Sequence, residues 1–503
     1  MQSFRKIVTL WFGIVLISQA VLAASLTNNP ADLKSYRTDR ILIQPKSEIV
    51  LAALDRFHAQ HKTKLLQSFN RIHNLQILEV PAGDTVENLV AQYQHSGLVE
   101  FAEPDYLVYA CATLPNDPYF ANGLLWGLDN YGQSGGTPHA DIDAPDAWDV
   151  STSASNIVVA VLDSGIRYTH EDLASNIWVN PLDGGHGFNA FTGTNDPMDL
   201  GGHGTMVAGV LGAVGNNGKG VCGVAWQVQM MACKCLNNGT GSDSTVTACI
   251  NYALTNGAKI INASFDSPAP SLAVSNAIVA AQDAGIIWVA SAGNGNPGVN
   301  IDLTPSYPSC YGLDNIVSVA YTTRADALGS LSNYGATNVD LAAPGDQIYS
   351  TYISSDTSYY PPTNLVINLA GTSFSAPYVS GALALMLAKY PLENYHQIIQ
   401  RLLNATDPLP SLAGKCVTGG RLNLREALSP TIKLAALPTL PGQLFQLHVN
   451  CGPNRQCIIQ VTSNLAAWLP VFTNATTTNW SFIFTNHQID NAPDHFYRAT
   501  SAP

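Results

Sequence analysis

Short apolar runs rich in β-branched residues alternate with helical patterns through the middle of this chain, and that alternation leaves it few folds to choose from. Ile157 to Leu162, Lys259 to Ala263, Ile286 to Ala290, Ile316 to Ala320 and Val339 to Ala342 have the texture of strands buried on both faces. Strands of this kind separated by helices predict an α/β fold, a parallel sheet with helices on both faces. Ligands of open α/β sheets bind beyond the carboxyl ends of the strands. Polar residues at those ends are therefore the ones to weigh. VAVLDSGI at 159–166 puts Asp163 at the end of the first run. GGHGTMVAGV at 201–210 puts His203 at the head of a helical pattern through Val207, Val210 and Leu211. GTSFSAPYVSG at 371–381 puts Ser373 at the head of another, through Ala376, Val379, Leu383 and Leu387.

Singly, each has an ordinary explanation as a cap or turn residue. Jointly they converge on one crevice, which caps have no reason to do. An Asp, a His and a Ser in one place can form a nucleophilic unit: the Ser attacks a carbonyl, the His takes and returns its proton, and the Asp fixes and stabilises the imidazolium. The chain order Asp, His, Ser distinguishes one lineage among the unrelated ones that use this chemistry. Together with VASAGN at 289–294, these segments resemble the subtilisin-like serine proteases over roughly residues 111 to 430. The resemblance implies peptide-bond hydrolysis, with the Asn294 amide and the Ser373 backbone N–H as donors to the oxyanion.

The same resemblance implies a groove in which substrate pairs as an added strand, giving affinity with broad specificity. One edge is Gly239 to Ser242, including Gly241, and the other runs from Ser264 through Phe265 to Asp266. Ala292 and Gly293 would wall the pocket for the side chain before the cut bond, and Ser306 would lie near its floor. Asp266 departs from the family, where a Gly is usual. Its carboxylate either favours Lys or Arg beside the bond, because opposite charges attract more strongly in a poorly solvated groove, or it is a solvated loop group of little effect. VGNNGKGV at 214–221 resembles the calcium loop of thermitase-like members. That likeness implies a structural Ca²⁺ held by Asp117, Asp172, Asn217 and the carbonyls of Val214, Lys219 and Val221, all oxygen donors; the alternative is a plain glycine turn. Gly218-Lys219 lacks the flanking residues of a phosphate loop.

With 12% charged residues and a formal net charge of −13, the chain has no excess of basic residues with which to hold nucleic acid or an anionic membrane. Arg5 and Lys6 precede an apolar stretch from Ile7 to Leu22 and small residues at Ala23 and Ala24. This reads as a secretory signal peptide cut after Ala23, and a membrane anchor is the alternative. Nothing later in the chain is apolar enough to span a bilayer. Export permits disulfides, although nine cysteines leave at least one unpaired. Cys451 and Cys457, around a Gly-Pro-Asn turn, are the most plausible local pair. Cys233 and Cys235 face one side of a strand-like run, with Cys222 and Cys249 nearby in sequence, where buried thiols are the competing reading.

Residues 24–110 read as strand (Arg40 to Gln44), helix (Val50 to Gln60), strand (Leu75 to Val80), helix (Thr85 to Gln94) and strand (Asp105 to Tyr109), with Val99 to Ala102 as a possible edge strand. That is close to a ferredoxin-like βαββαβ plan. It resembles the inhibitory propeptide of subtilisin-like zymogens; a small domain that stays attached is the alternative. From 431 to 503, short alternating runs such as LFQLHV, CIIQVT and SFIF predict a small antiparallel β-domain. It resembles C-terminal modules of secreted bacterial enzymes, for surface retention, substrate binding or folding. The sequence thus predicts a signal peptide over 1–23, a propeptide over 24–110, a peptidase domain over 111–430 and a β-domain beyond. The expected product is a secreted, self-processed, monomeric serine endopeptidase acting on polypeptides, with its own propeptide as inhibitor. An idle scaffold that binds a surface is the rival, opposed by the intact Asp, His, Ser and Asn set. An esterase would need a Gly-x-Ser-x-Gly elbow, and Ser373 lies in Gly-Thr-Ser-Phe-Ser.

Overall fold

Alternation of buried and half-buried positions along Ile41, Leu42 and Ile43 places the first strand, β1 (Tyr36–Pro45), on a one-sided core. This computed structural model describes residues 36–47, 49, 51–106, 112–360, 370–430, 432–437, 444–451, 456–463, 468–474, 481–486 and 496–501. The expected signal peptide lies outside the described residues. Two compact units divide after Cys111.

In the first unit β1 is followed by a helix (Leu51–Gln60), β2 (Lys64–Phe69), β3 (Leu75–Glu79), a helix (Val86–His95) and β4 (Val99–Tyr106). The second helix starts where Thr85 Oγ1 accepts the backbone N–H of Asn88. The strands form one antiparallel sheet in the order β2-β3-β1-β4, the ferredoxin-like arrangement. Ile41, Ile43, Leu54, Leu78, Leu89 and Tyr93 fill its core. Two details differ from the sequence reading. The expected edge strand Val99 to Ala102 and the start of the expected last strand at Asp105 belong to one strand, β4, and residues 107–109 lie outside the described set. The strand β2 was not foreseen, because an edge strand exposed along nearly its whole length shows no period-two burial.

The second unit is built on a nine-stranded sheet. Its strands are β5 (Ser153–Asp163), β6 (Gly187–Asn189), β7 (Gln227–Lys234), β8 (Ile260–Ala263), β9 (Ile287–Ser291), β10 (Ile316–Thr322), β11 (Leu341–Pro344), β14 (Thr406–Pro408) and β15 (Gly420–Leu422). A separate two-stranded ribbon joins β12 (Ser350–Thr351) to β13 (Tyr359–Tyr360). The large sheet runs β14-β15-β11-β10-β9-β8-β5-β7-β6 and is parallel except where β14 meets β15. The expected strands are all present, with shifts of one or two residues at their ends, except that β5 starts four residues before Ile157.

Both faces of the sheet are buried, which is why its strands read as unbroken apolar runs. On β5, Val159 and Val161 enter the core formed with the helices His203–Gly212 and Thr372–Lys389. Ala160 and Leu162 face the other way, onto the helices Asp243–Thr255 and Leu272–Asp283. The first two helices cross closely at Gly381, where a Cβ would lie 2.9 Å from the Leu211 carbonyl oxygen. Even one added methyl group there would force the helices apart.

Cys233, Cys235 and Cys249 pack together in the second face. These three and Cys222 are buried unpaired thiols, so the buried-thiol reading holds for the four; Cys416 is a further buried unpaired thiol and Cys310 a half-buried one. Burial pushes the Cys222 thiol up, away from the reactive thiolate.

At the end of the chain β16 (Lys433–Ala436), β17 (Gln446–Asn450) and β20 (Ser481–Thr485) form one antiparallel sheet, and β18 (Cys457–Thr462), β19 (Leu469–Thr473) and β21 (Phe496–Ser501) another. Leu447, Val449, Ile459 and Phe484 lie between them with the buried Cys451 and Cys457. The turn between these cysteines is outside the described residues. Among the described residues no helix is long and apolar enough to cross a membrane.

Candidate active site

Asp163 ends β5 fully buried, and its carboxylate is spanned by one partner: His203 Nδ1 lies 2.9 Å from both Oδ1 and Oδ2. Oδ1 also accepts the N–H of Ser164 at 2.7 Å. The helix that carries His203 begins at Gly202, whose φ of +94° suits glycine. Its free N–H groups need acceptors. Asp199 supplies them, taking Gly201 and Gly202 N–H on Oδ1 and the N–H and hydroxyl of Thr205 on Oδ2. Ser164 Oγ takes the N–H of Gly204 at 2.9 Å. Asp163 therefore holds the ring at Nδ1, while Asp199 and Ser164 hold the helix start that carries it.

Burial disfavours the imidazolium of His203, but the charge and hydrogen bond of Asp163, with a contribution from Asp199, outweigh it. The His203 pKa is accordingly raised above its ordinary value. Lys234, at the end of β7, donates to the carbonyls of Ser164 at 2.8 Å and Met198 at 3.3 Å, tying the loop after β5 to the loop before His203. Burial lowers its pKa against the pull of Asp199 and Asp196.

Ser373 lies in the first turn of its helix, after Gly371 at the N-cap, so its N–H has no acceptor one turn earlier. Pro377, within the same helix, cannot donate back to the Ser373 carbonyl. Ser264 Oγ fills that gap at 2.9 Å, while Ser373 Oγ donates to the Ser264 carbonyl at 3.1 Å. Ser264 is held in turn by Asn262 Nδ2, and Asn262 Oδ1 accepts from Ser380 one helical stretch on. Phe374 sets its ring 5.9 Å from that of His203, so the two helices bring their first turns together. Asn294 is exposed, and its Oδ1 accepts the N–H of Thr372 at 3.0 Å. That contact fixes which end of the amide is left to donate.

The expected groove edges also meet. Gly239, Gly241, Phe265 and Asp266 line a cavity of ≈ 240 Å³ with Val246, Val274 and Tyr307. Gly293, Ser306 and Asp266 gather on the other side of the same segment, with Ser306 Oγ donating to Asp266 Oδ2 at 3.0 Å. Ala292 is buried behind them, its carbonyl taken by Asn333.

Around the 214–221 loop, Asp172 Oδ1 accepts from Asn217 Nδ2 at 2.8 Å and Oδ2 from the N–H of Val221 at 3.0 Å. Val214 N–H bonds the Asp172 carbonyl, and Lys219 N–H bonds Asn217 Oδ1. Asp117 is fully buried; Oδ2 accepts from Asn216 N–H, but Oδ1 has no partner. Burial pushes its pKa up to about 6, and raises that of Asp172 as well. An orphaned carboxylate oxygen facing a second buried carboxylate is a donor set that fits a hard cation. Among the described residues no group of three or more His, Cys, Asp or Glu side chains could hold a metal, so any ion here would depend on carbonyls and Asn217.

Sequence reasoning missed Asp199, Lys234, Asn262 and Ser380. Only Asp199 carried a local signal, an acid just before a helical pattern.

Residues 154–428 match the subtilase family, and residues 23–105 match the fervidolysin N-terminal prodomain. A thermophilic serine proteinase of Bacillus sp. (strain AK1) is 32% identical over 394 residues, covering 76% of this chain and 88% of the relative. Thermitase of Thermoactinomyces vulgaris is 34% identical over 276 residues, 55% of this chain and 86% of its own. A solved structure described as proteases from Pseudoalteromonas arctica PAMC 21717 is similar with a TM-score of 0.52 at 30% identity, covering 63% of this chain and 99% of that one.

The Asp163 contact has a measurable consequence. A raised pKa means that the imidazolium of His203 persists to higher pH than in a free histidine. Removing the carboxylate charge in Asp163→Asn should therefore lower the His203 pKa. NMR titration of the ring in a Ser373→Ala background measures it, and an unchanged or higher value would contradict the electrostatics described.

Proposed function

The chain belongs to the subtilase family, as a subtilisin-like serine endopeptidase with an N-terminal prodomain, and from that premise we propose how its own residues carry the reaction. Ser373 attacks the scissile carbonyl carbon as His203 Nε2 takes its proton. Asp163 holds the Nδ1–H of the imidazole and stabilises the cation that forms. The amide of Asn294 and the backbone N–H of Ser373 receive the oxyanion. His203 then protonates the leaving amine, and water releases the acyl group by the same steps reversed in role. The observation that carries this reading is the symmetric 2.9 Å seat of His203 on the buried Asp163, beside the first turn that bears Ser373. In this structure the Ser373 hydroxyl is turned to the Ser264 carbonyl, and the reaction requires it to rotate about Cα–Cβ to the imidazole. Catalytic hydrogen bonds commonly tighten only when substrate is bound.

Substrate lies extended between Gly239–Ser242 and Ser264–Asp266, pairing through backbone groups, which supports broad specificity away from the residue next to the bond. The enzyme is exported by a signal peptide over 1–23 and made as a zymogen. Residues 24–110 act as inhibitor until removed, 111–430 form the peptidase domain and 431–503 the C-terminal β-domain. The mature enzyme is a monomer without a membrane span, extracellular or associated with the cell surface, that takes no nucleic acid. Asp117, Asp172 and Asn217, with the carbonyls of Val214, Lys219 and Val221, would hold a structural Ca²⁺, which would neutralise the two buried carboxylates.

Ser373→Ala should lose about a million-fold in turnover, a magnitude taken from the related subtilisin, and should remain joined to its prodomain. Near-normal peptide hydrolysis by that variant would overturn the assignment. For the metal, Ser373→Ala protein saturated with calcium at a hundred times the dissociation constant should gain about 2.7 kcal/mol over the chelated form. The gain should vanish in Asp172→Asn. A melting temperature indifferent to chelator would remove calcium from the account.

A further inference from the structure

Asp266 is exposed, yet its carboxylate meets both Ser306 and the space over Gly293, a more specific placement than a solvated loop acid requires. β8 runs into Ser264, whose carbonyl meets the Ser373 hydroxyl. Asp266 is two residues further, a span of at most about 7 Å. Its Oδ2 accepts from Ser306 Oγ at 3.0 Å and lies 2.8 Å from where a Cβ on Gly293 would be. Gly293 immediately precedes Asn294, which is bonded to Thr372 next to Ser373. The carboxylate therefore stands over a glycine, in space that any other side chain at 293 would occupy, within reach of the reacting centre.

Its partners are few. A carboxylate offers about four acceptor positions, and the hydrogen bonds described for this one come from a single neutral hydroxyl. None of the ion pairs among the described residues includes it. A substrate side chain that entered here would remove water from the anion. An aromatic or aliphatic group would leave it without a replacement partner, which is costly. An ammonium or guanidinium would replace water with charge-assisted hydrogen bonds, roughly twice as strong as neutral ones.

We propose that the carboxylate of Asp266 selects lysine or arginine as the residue immediately before the cleaved bond. The proposal rests on the assignment of Ser373 as nucleophile. Selection is confined to this position; the backbone pairing on either side of it stays indifferent to sequence.

The test compares mature enzyme on matched peptide anilides that differ only in the residue before the bond: arginine, its neutral isostere citrulline, and phenylalanine. The arginyl substrate should exceed the other two in kcat/KM by about tenfold or more. Asp266→Asn keeps the shape and the contact to Ser306 while deleting the charge. It should cut the arginyl-to-citrullyl and arginyl-to-phenylalanyl ratios of kcat/KM by about the same factor. Equal losses on all three substrates, or a wild-type enzyme that prefers phenylalanine, would overturn the proposal. Ser373→Ala separates the two levels of the account. If it abolishes hydrolysis of every substrate while Asp266→Asn leaves the arginyl preference intact, the selectivity claim falls and the nucleophile stands.

Discussion

A carboxylate with no exposure to solvent, sharing one imidazole N–H between its two oxygens, sets the requirements that the rest of the site meets. Burying a charge is unfavourable unless it is paired and hydrogen-bonded. Asp163 is reached from the sheet side by the backbone of Ser164 and from the helix side by His203. Those contacts hold only if the loop before His203 is fixed, which falls to Asp199 and Lys234. The parallel sheet is what makes this possible, because it delivers β5, β7 and β8 to one edge with their ends in register.

The nucleophile side is built on a different device. Pro377 deletes one helical hydrogen bond, and the Ser373 carbonyl so released is taken by Ser264. One irregularity in a helix thereby joins it to the segment that also forms a groove wall. Asn262 and Ser380 repeat that join deeper in the fold. The position of the hydroxyl and the line of the groove are consequently set by the same few contacts, so a change in one is felt in the other.

Much of this was legible in the sequence wherever the signal was local. The core strands announce themselves because both of their faces are buried, and the helices bearing His203 and Ser373 because glycine turns introduce them. The strand β2 was illegible for the opposite reason: exposed along nearly its whole length, it has no burial pattern to read. Asn262, Ser380 and Lys234 escaped notice because each acts across the fold on residues far away in sequence, and a lone polar residue in an apolar run does not say what it will meet. The groove residues were recognisable through resemblance, but the contact of Asp266 with Ser306 depends on a loop closure that no periodicity encodes. Asp117 was matched by resemblance too; its unpartnered oxygen, the feature that suits a cation, exists only once the loop has folded over it.

The central claim is that Asp163 and His203 make one particular hydroxyl nucleophilic. Labelling the mature enzyme with a fluorophosphonate and locating the adduct by peptide mass spectrometry tests it most directly. The account predicts a single adduct on Ser373, lost when His203 is replaced by alanine. An active enzyme that took no label, or took it on another residue, would contradict it.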